Sequence, residues 1–199
     1  MSQKASVWAV AAVVALLGGG CGLEAIPFVT CGPGNCAGCC SSEGVCLGGT
    51  DSSACGFGGD LCGACSPHQA CLSQACSMDG SQVWILQPVS AVIADTNNGS
   101  TWDDLGGAAP DPYVVIAGAR TPEASDTWTP SWNTGFELTT TALFEGVPVQ
   151  VMDSDAFSHD SITPSGFIQL TEADFAAGGK RYENWGGVVS IDFVLQKKP

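Results

Sequence analysis

The chain reads as an all-β protein, an antiparallel β-sandwich preceded by a small, irregular, disulfide-rich module. Three observations predict this. From residue 82 onward, short apolar segments of strand character recur between Gly, Pro and Asn turn signals. Only one stretch there, residues 171–175, suggests a helix, with Thr171 as its N-cap. Ten of the eleven cysteines fall within residues 31–76, and none follows.

The strand candidates are residues 83–87, 113–117, 135–139, 147–151, 167–170 and 188–195. In the last, Val189, Ile191, Phe193 and Leu195 alternate with Val188, Ser190, Asp192 and Val194, the period of a half-buried strand. The separators are Asn98-Gly99, Gly106-Gly107, Pro110, Pro130, Gly178-Gly179 and Gly186-Gly187. Six or more short strands in residues 82–199 point to a sandwich rather than to a helical or α/β fold.

The cysteines Cys31, Cys36, Cys39, Cys40, Cys46, Cys55, Cys62, Cys65, Cys71 and Cys76 are interleaved with Gly and Ser and almost no large apolar side chains. Such a segment cannot build a hydrophobic core and is expected to be stapled by disulfides. A weak internal repeat places five cysteines in each half, so full pairing requires at least one bridge between the halves. Cys36-x2-Cys39 and Cys62-x2-Cys65 also have zinc-ribbon spacing, but six further cysteines and an export signal favour disulfides. No strand-then-helix pattern surrounds either pair, as a redox Cys-x-x-Cys would need. The module resembles the cysteine-rich spacers of bacterial surface lipoproteins.

The export signal is residues 1–20. Lys4 precedes an apolar run, residues 5–17, broken only by Ser6 and too short to span a bilayer. Gly18-Gly19-Gly20 and then Cys21 follow, which resembles a bacterial lipoprotein signal. That resemblance implies lipidation of Cys21 and an anchor in the cell envelope, the outer membrane before the inner, with secretion as the alternative. It leaves an even ten cysteines for pairing. The expected layout is then a linker at 21–30, the cysteine module at 31–76, a polar joint at 77–81 and the sandwich at 82–199.

Charge narrows the function. Twenty acidic against six basic side chains give a net charge of −14. Nucleic-acid binding needs Lys and Arg to displace counterions and is not expected. From Gln82 onward there are 15 acids and 5 bases, and the acids cluster. In Asp153-Ser-Asp155-x4-Asp160, three carboxylates follow a strand at close spacing, an arrangement suited to a hard, oxygen-seeking cation such as Ca2+.

Three motifs carry a family resemblance, in order, across nearly all of residues 82–199. The first is Trp102-Asp103-Asp104-Leu105 leading to Pro110-Asp111-Pro112-Tyr113-Val114. The second is Thr129-Pro130-Ser131-Trp132-Asn133 followed by Phe136, and the third is Val149-x-Val151-x-Asp153-x-Asp155-x4-Asp160. Together they resemble the C2 domain, the calcium-dependent membrane-binding sandwich of protein kinase C and the synaptotagmins. The resemblance implies an eight-stranded antiparallel sandwich with calcium at one end. Its ligands would be Asp103 or Asp104, Asp111, Asp153, Asp155 and Asp160, with the Ser158 hydroxyl adding to the shell. Phe157 and Leu105 fall on loops where the family places apolar side chains against lipid. The basic strand some members use for phosphoinositides is missing, since Arg120, Lys180, Arg181, Lys197 and Lys198 are scattered. Trp132 and Phe136 read as packing residues rather than ligand contacts.

Other chemistries fit poorly. An EF-hand starting at Asp153 needs Gly and Glu where Ser158 and Pro164 stand. Ser158-His159-Asp160 is not a triad, because neighbours in extended chain face opposite sides. With two histidines and no nucleophile motif, neither an enzyme nor a small-molecule substrate is expected. The sequence thus predicts a binding protein that contacts a phospholipid membrane or a surface protein through calcium. The alternative is an envelope protein in which calcium only stiffens the sandwich.

Overall fold

The structure is a computed structural model that describes residues 30–96, 99, 101–102, 109–155 and 159–199. Cys31–Pro199 forms one compact unit. The Cys21 lipidation site lies outside the described residues, as do Asp103, Asp104, Leu105, Phe157 and Ser158.

All ten cysteines of the module are paired: Cys31–Cys40, Cys36–Cys46, Cys39–Cys62, Cys55–Cys71 and Cys65–Cys76. Cys39–Cys62 is the one bridge joining the two halves. The backbone between them makes three small antiparallel ribbons. These are β1 (Cys39–Cys40) with β2 (Cys46–Leu47), β3 (Thr50–Asp51) with β4 (Ala54–Cys55), and β5 (Gln69–Leu72) with β6 (Ala75–Met78). Cys36, Cys39, Cys40 and Cys55 are buried, so the sulfurs themselves fill the place of a core.

The sandwich follows. One sheet has the order β10 (Phe136–Thr139), β7 (Val83–Ile93), β15 (Val188–Lys197), β14 (Gly179–Trp185). The other runs β12 (His159–Ser161), β11 (Val147–Ser154), β8 (Pro112–Ile116), β9 (Ala119–Arg120). A further short strand, β13 (Gly166–Ile168), pairs with the first part of β11, and β12 with its last part. They share one edge lane, so the two sheets hold four lanes each, the eight-stranded antiparallel sandwich expected. Trp84, Leu86, Ile93, Val114, Ile116, Val149, Val151, Ile191 and Phe193 form the core between the sheets.

Two elements differ from the sequence reading. The alternation in β15 slips at its start. Val188 is 1% exposed and Val189 is 47% exposed, the reverse of the expected pattern. The pairing with β7 shifts between Val188 and Ser190, a β-bulge that turns Val189 outward. A short helix, α1 (Thr140–Glu145), also follows β10, capped by Thr139, whose hydroxyl accepts from Ala142 N–H. The helix at α2 (Glu172–Ala177) forms as read. Thr171 caps it with Asp174 as a reciprocal box, and Gly178 closes it in the left-handed region at φ 72°.

The two helices receive the cysteine module. His68 is 2% exposed and packs between Phe144 of α1 and Phe175 of α2, at ring-centroid distances of 5.6 and 5.2 Å. Phe175 in turn meets Trp84 edge-on at 4.9 Å. Asp79 N–H donates to the His68 carbonyl at 3.0 Å, and Lys197 Nζ to the Pro67 carbonyl at 3.3 Å.

Two stability outcomes follow. Val188→Ala should cost about 2 kcal/mol, and Val189→Ala less than about 0.5 kcal/mol, by denaturant unfolding. Equal costs would contradict the bulge. Replacing Cys39 and Cys62 together by Ser opens the loop that joins the halves and should cost about 3 kcal/mol under non-reducing conditions.

Candidate metal centre

The site is a consequence of strand register. β8, β11 and β12 place Pro112, Asp153 and Asp160 side by side in one row, Asp153 paired with both neighbours. Asp111 precedes Pro112, so its backbone N–H reaches across and donates to Asp153 Oδ1 at 2.7 Å. The Asp111 carbonyl accepts from Ser154 N–H at 3.2 Å, and its Oδ1 from Asp126 N–H at 2.6 Å. Three of the expected ligands, Asp111, Asp153 and Asp160, therefore meet where β8 begins and β11 ends. Asp155 follows one turn of the pleat beyond Asp153.

Tryptophans pin the loops around this row. Trp132 is buried and its Nε1–H donates to the Pro112 carbonyl at 3.3 Å, tying the second motif to the start of β8. It is a packing residue, as read. Trp102 is also buried, and its Nε1–H donates to the Ala94 carbonyl at 2.8 Å. Its ring lies on Gly187, where a Cβ would stand 2.6 Å from Cη2. The first motif is thus anchored by its tryptophan against the β14–β15 turn. No sequence signal gave Trp102 that role. His159, beside Asp160, turns to the other side and meets Tyr113 edge-on at 5.7 Å.

The electrostatics single out Asp153. It is 1% exposed, and Oδ2 is buried with no hydrogen-bond partner. Burial pushes its carboxyl from 3.8 up to about 6, with the Asp155 and Asp111 charges adding to the rise and the Asp111 N–H opposing it. A buried, half-satisfied carboxylate is costly unless a proton or a cation takes the open oxygen. The donor set around it is all oxygen, which suits calcium or magnesium rather than a thiolate-seeking metal. Among the described residues, no three carboxylates hold their oxygens within 4.8 Å of one another, and the groups that do converge so closely are cysteines. Those sulfurs are all taken up in disulfides, which removes the zinc reading.

No family model matches the chain, and no curated protein does. Solved structures similar to it are C2 domains. One, described as the structure of a C2 domain, is 18% identical, covering 58% of this chain and 98% of that one, with a TM-score of 0.40. A C2 domain-containing protein from a putative elicitor-responsive gene is 20% identical, covering 63% and 95%, at 0.42. A structure of the SMP and tandem C2 domains of Extended-Synaptotagmin 2 matches at 15% identity and 0.45, covering 59% of this chain and 27% of that one.

The raised Asp153 carboxyl has a sign that can be measured. Its folded value lies above the unfolded one, so its stabilising effect is present below about pH 4 and lost as pH rises through about 6. In chelator, stability should fall by about 2 kcal/mol between pH 4 and 7 on this account. Asp153→Asn should flatten that fall and be the more stable protein at pH 7 without metal. An unchanged pH profile in the variant would contradict the assignment.

Proposed function

We propose that this chain is a non-enzymatic, exported lipoprotein, anchored through Cys21 to the bacterial envelope, whose C2-like sandwich binds calcium and through it a phospholipid surface. The observation that carries the calcium reading is the open Oδ2 of buried Asp153, in register with Asp160 and bonded to Asp111 N–H. Asp153, Asp155, Asp160 and Asp111 would hold the ion, with Asp103 or Asp104 and Ser158 completing the shell from the neighbouring loops. A bound calcium would neutralise the repelling carboxylates and offer its free positions to lipid phosphate.

The chain's own residues set the terms of that contact. Asp153 supplies a fixed, desolvated oxygen. Asp111 presents its backbone to Asp153 and its carboxylate to Asp126 N–H, which orients it. Phe157 and Leu105 would enter the headgroup layer beside the ion. The scattered basic residues give no cluster for a specific anionic headgroup, so binding should follow surface charge rather than lipid identity. No helix among the described residues is long and apolar enough to cross a membrane. The disulfide module would stand between the lipid anchor and the sandwich as a protease-resistant stalk.

A second reading is that the ion only stiffens the sandwich and the target is a surface protein. It draws on the deep burial of Asp153, within the strands rather than at a loop tip. Two measurements separate the readings. Thermal unfolding of the purified chain in 5 mM calcium should show stabilisation of about 1–2 kcal/mol over chelator, for an affinity in the 10⁻⁴–10⁻³ M range of extracellular modules. Asp153→Asn with Asp155→Asn should abolish it, and no calcium shift in the wild type would end both readings. Co-sedimentation with phosphatidylserine–phosphatidylcholine vesicles should then occur with calcium and not with chelator. Stabilisation without sedimentation would leave only the structural ion.

A further inference from the structure

The open side of the sandwich, where β13 edges one sheet and β14 edges the other, carries a cleft unrelated to the carboxylate row. Phe167 stands out from β13 with 68% of its surface exposed. Facing it on β14 are Tyr182 and Trp185, ring centroids 6.1 Å apart and inclined at 44°. Residues three apart on a regular strand face opposite sides. Here Asn184 takes the left-handed conformation, φ 54°, and that turn brings Trp185 round beside Tyr182. Gly166 completes the arrangement. A Cβ there would stand 3.0 Å from Cζ2 of Trp185, so glycine lets the indole lie against the β13 backbone.

Two adjoining hollows result, of about 270 and 170 Å³, which share Val149, Gly166 and Phe167. Phe167 is the ridge between them. Glu183 and Asn184 line the larger hollow, Gln150 and Ser165 the smaller. Together they fall in the lower part of the roughly 300–1,000 Å³ range of ligand sites. The half-buried Trp185 Nε1–H and the exposed Asn184 amide have no hydrogen-bond partner among the described residues, whereas the indoles of the buried Trp84, Trp102 and Trp132 each donate to one.

This combination selects a ligand class. An aromatic face is electron-rich and attracts the C–H groups of one face of a pyranose ring, while amide and indole N–H groups address its equatorial hydroxyls. A lipid chain would leave those polar groups unpaired. An anionic ligand finds no free cation, because Arg181 is held by Glu183 at 3.2 Å and by Asp192 at 2.9 Å, and the chain carries −14 overall. We propose that this cleft binds a neutral oligosaccharide, one pyranose unit in each hollow, stacked on Phe167 and Trp185 and hydrogen-bonded by Trp185 Nε1–H and the Asn184 amide.

The test is calorimetric titration of the purified chain with cellohexaose, chitohexaose and maltohexaose, each with calcium and with chelator. At least one should bind with a Kd below about 1 mM, equally in both conditions, because the cleft contains none of the carboxylate row. Phe167→Ala should weaken that binding about tenfold, with the melting temperature unchanged, as its ring is exposed. Trp185→Phe keeps the ring in place, removes the donor and should weaken binding about threefold. No heat with any of the three sugars at 10 mM (about ten times the expected Kd), or binding that Phe167→Ala leaves intact, overturns the proposal. Loss of calcium binding in Asp153→Asn does not touch it, so the two readings fail separately.

Discussion

The burial of one carboxylate shapes the whole lower half of the chain. Asp153 sits 1% exposed at the end of a strand whose preceding inward residues, Val147, Val149 and Val151, are core. Strand alternation puts its side chain on the same inward face, so the fold cannot turn it to solvent without a register slip that would expose three valines. One hydrogen bond from a backbone N–H is worth about 1.5–3 kcal/mol to a charged acceptor, against a desolvation cost of several kcal/mol for the ion. The metal-free protein therefore holds a frustrated group by the strength of its β-pairing. A proton or a cation on the open oxygen would relieve it, which is the physical ground of the calcium proposal.

The pairing that traps Asp153 also explains how distant motifs find one another. Asp111 and Asp160 lie 42 and 7 residues from it in sequence, yet Asp160 arrives as its lateral neighbour on β12 and Asp111, just before its β8 neighbour Pro112, reaches it with a backbone N–H. The tryptophans act one level out, fixing loops by indole N–H bonds to carbonyls at the strand ends. A second constraint operates at the other boundary. The disulfide module has no apolar core, but His68 plugs the aromatic pocket of Phe144 and Phe175 and both its ring nitrogens are buried. The module is thereby docked on the sandwich rather than strung from it, through an imidazole whose Nε2 stands 3.7 Å from Glu172 Oε1.

What the sequence revealed follows from how local each signal is. The paired module was legible because cysteine density leaves few physical alternatives, and the core strands because alternation is a local property. α2 was legible from its cap and reciprocal Asp174. Failures came where the cause lies in a neighbouring strand. The bulge that expels Val189 belongs to the β7–β15 pairing and leaves no mark in β15 alone. α1 is six residues long, less than two turns, too short for helical periodicity to register. β14 was missed because Lys180 to Trp185 is charged and its alternation is broken by Asn184. For the carboxylate row, spacing suggested which acids would gather. Only the register revealed that Asp153 is the buried one, and therefore the one with most to gain from a cation.

The setting decides what such a site can do. On the proposed export, calcium would be near-constant, and at about 1 mM a site of 10⁻⁴–10⁻³ M affinity would hold a steady occupancy between about a half and nine-tenths. Filling then cannot report a signal, and its effect is to remove a standing penalty at Asp153 and release the row from repulsion. On that proposal the ion would belong to the folded state, and without it the same carboxylates would weaken the sandwich. The disulfide module and the carboxylate row, unlike in chemistry, would then share one condition: under the proposed export, both are completed by what the surroundings supply, an oxidant for the one and a cation for the other.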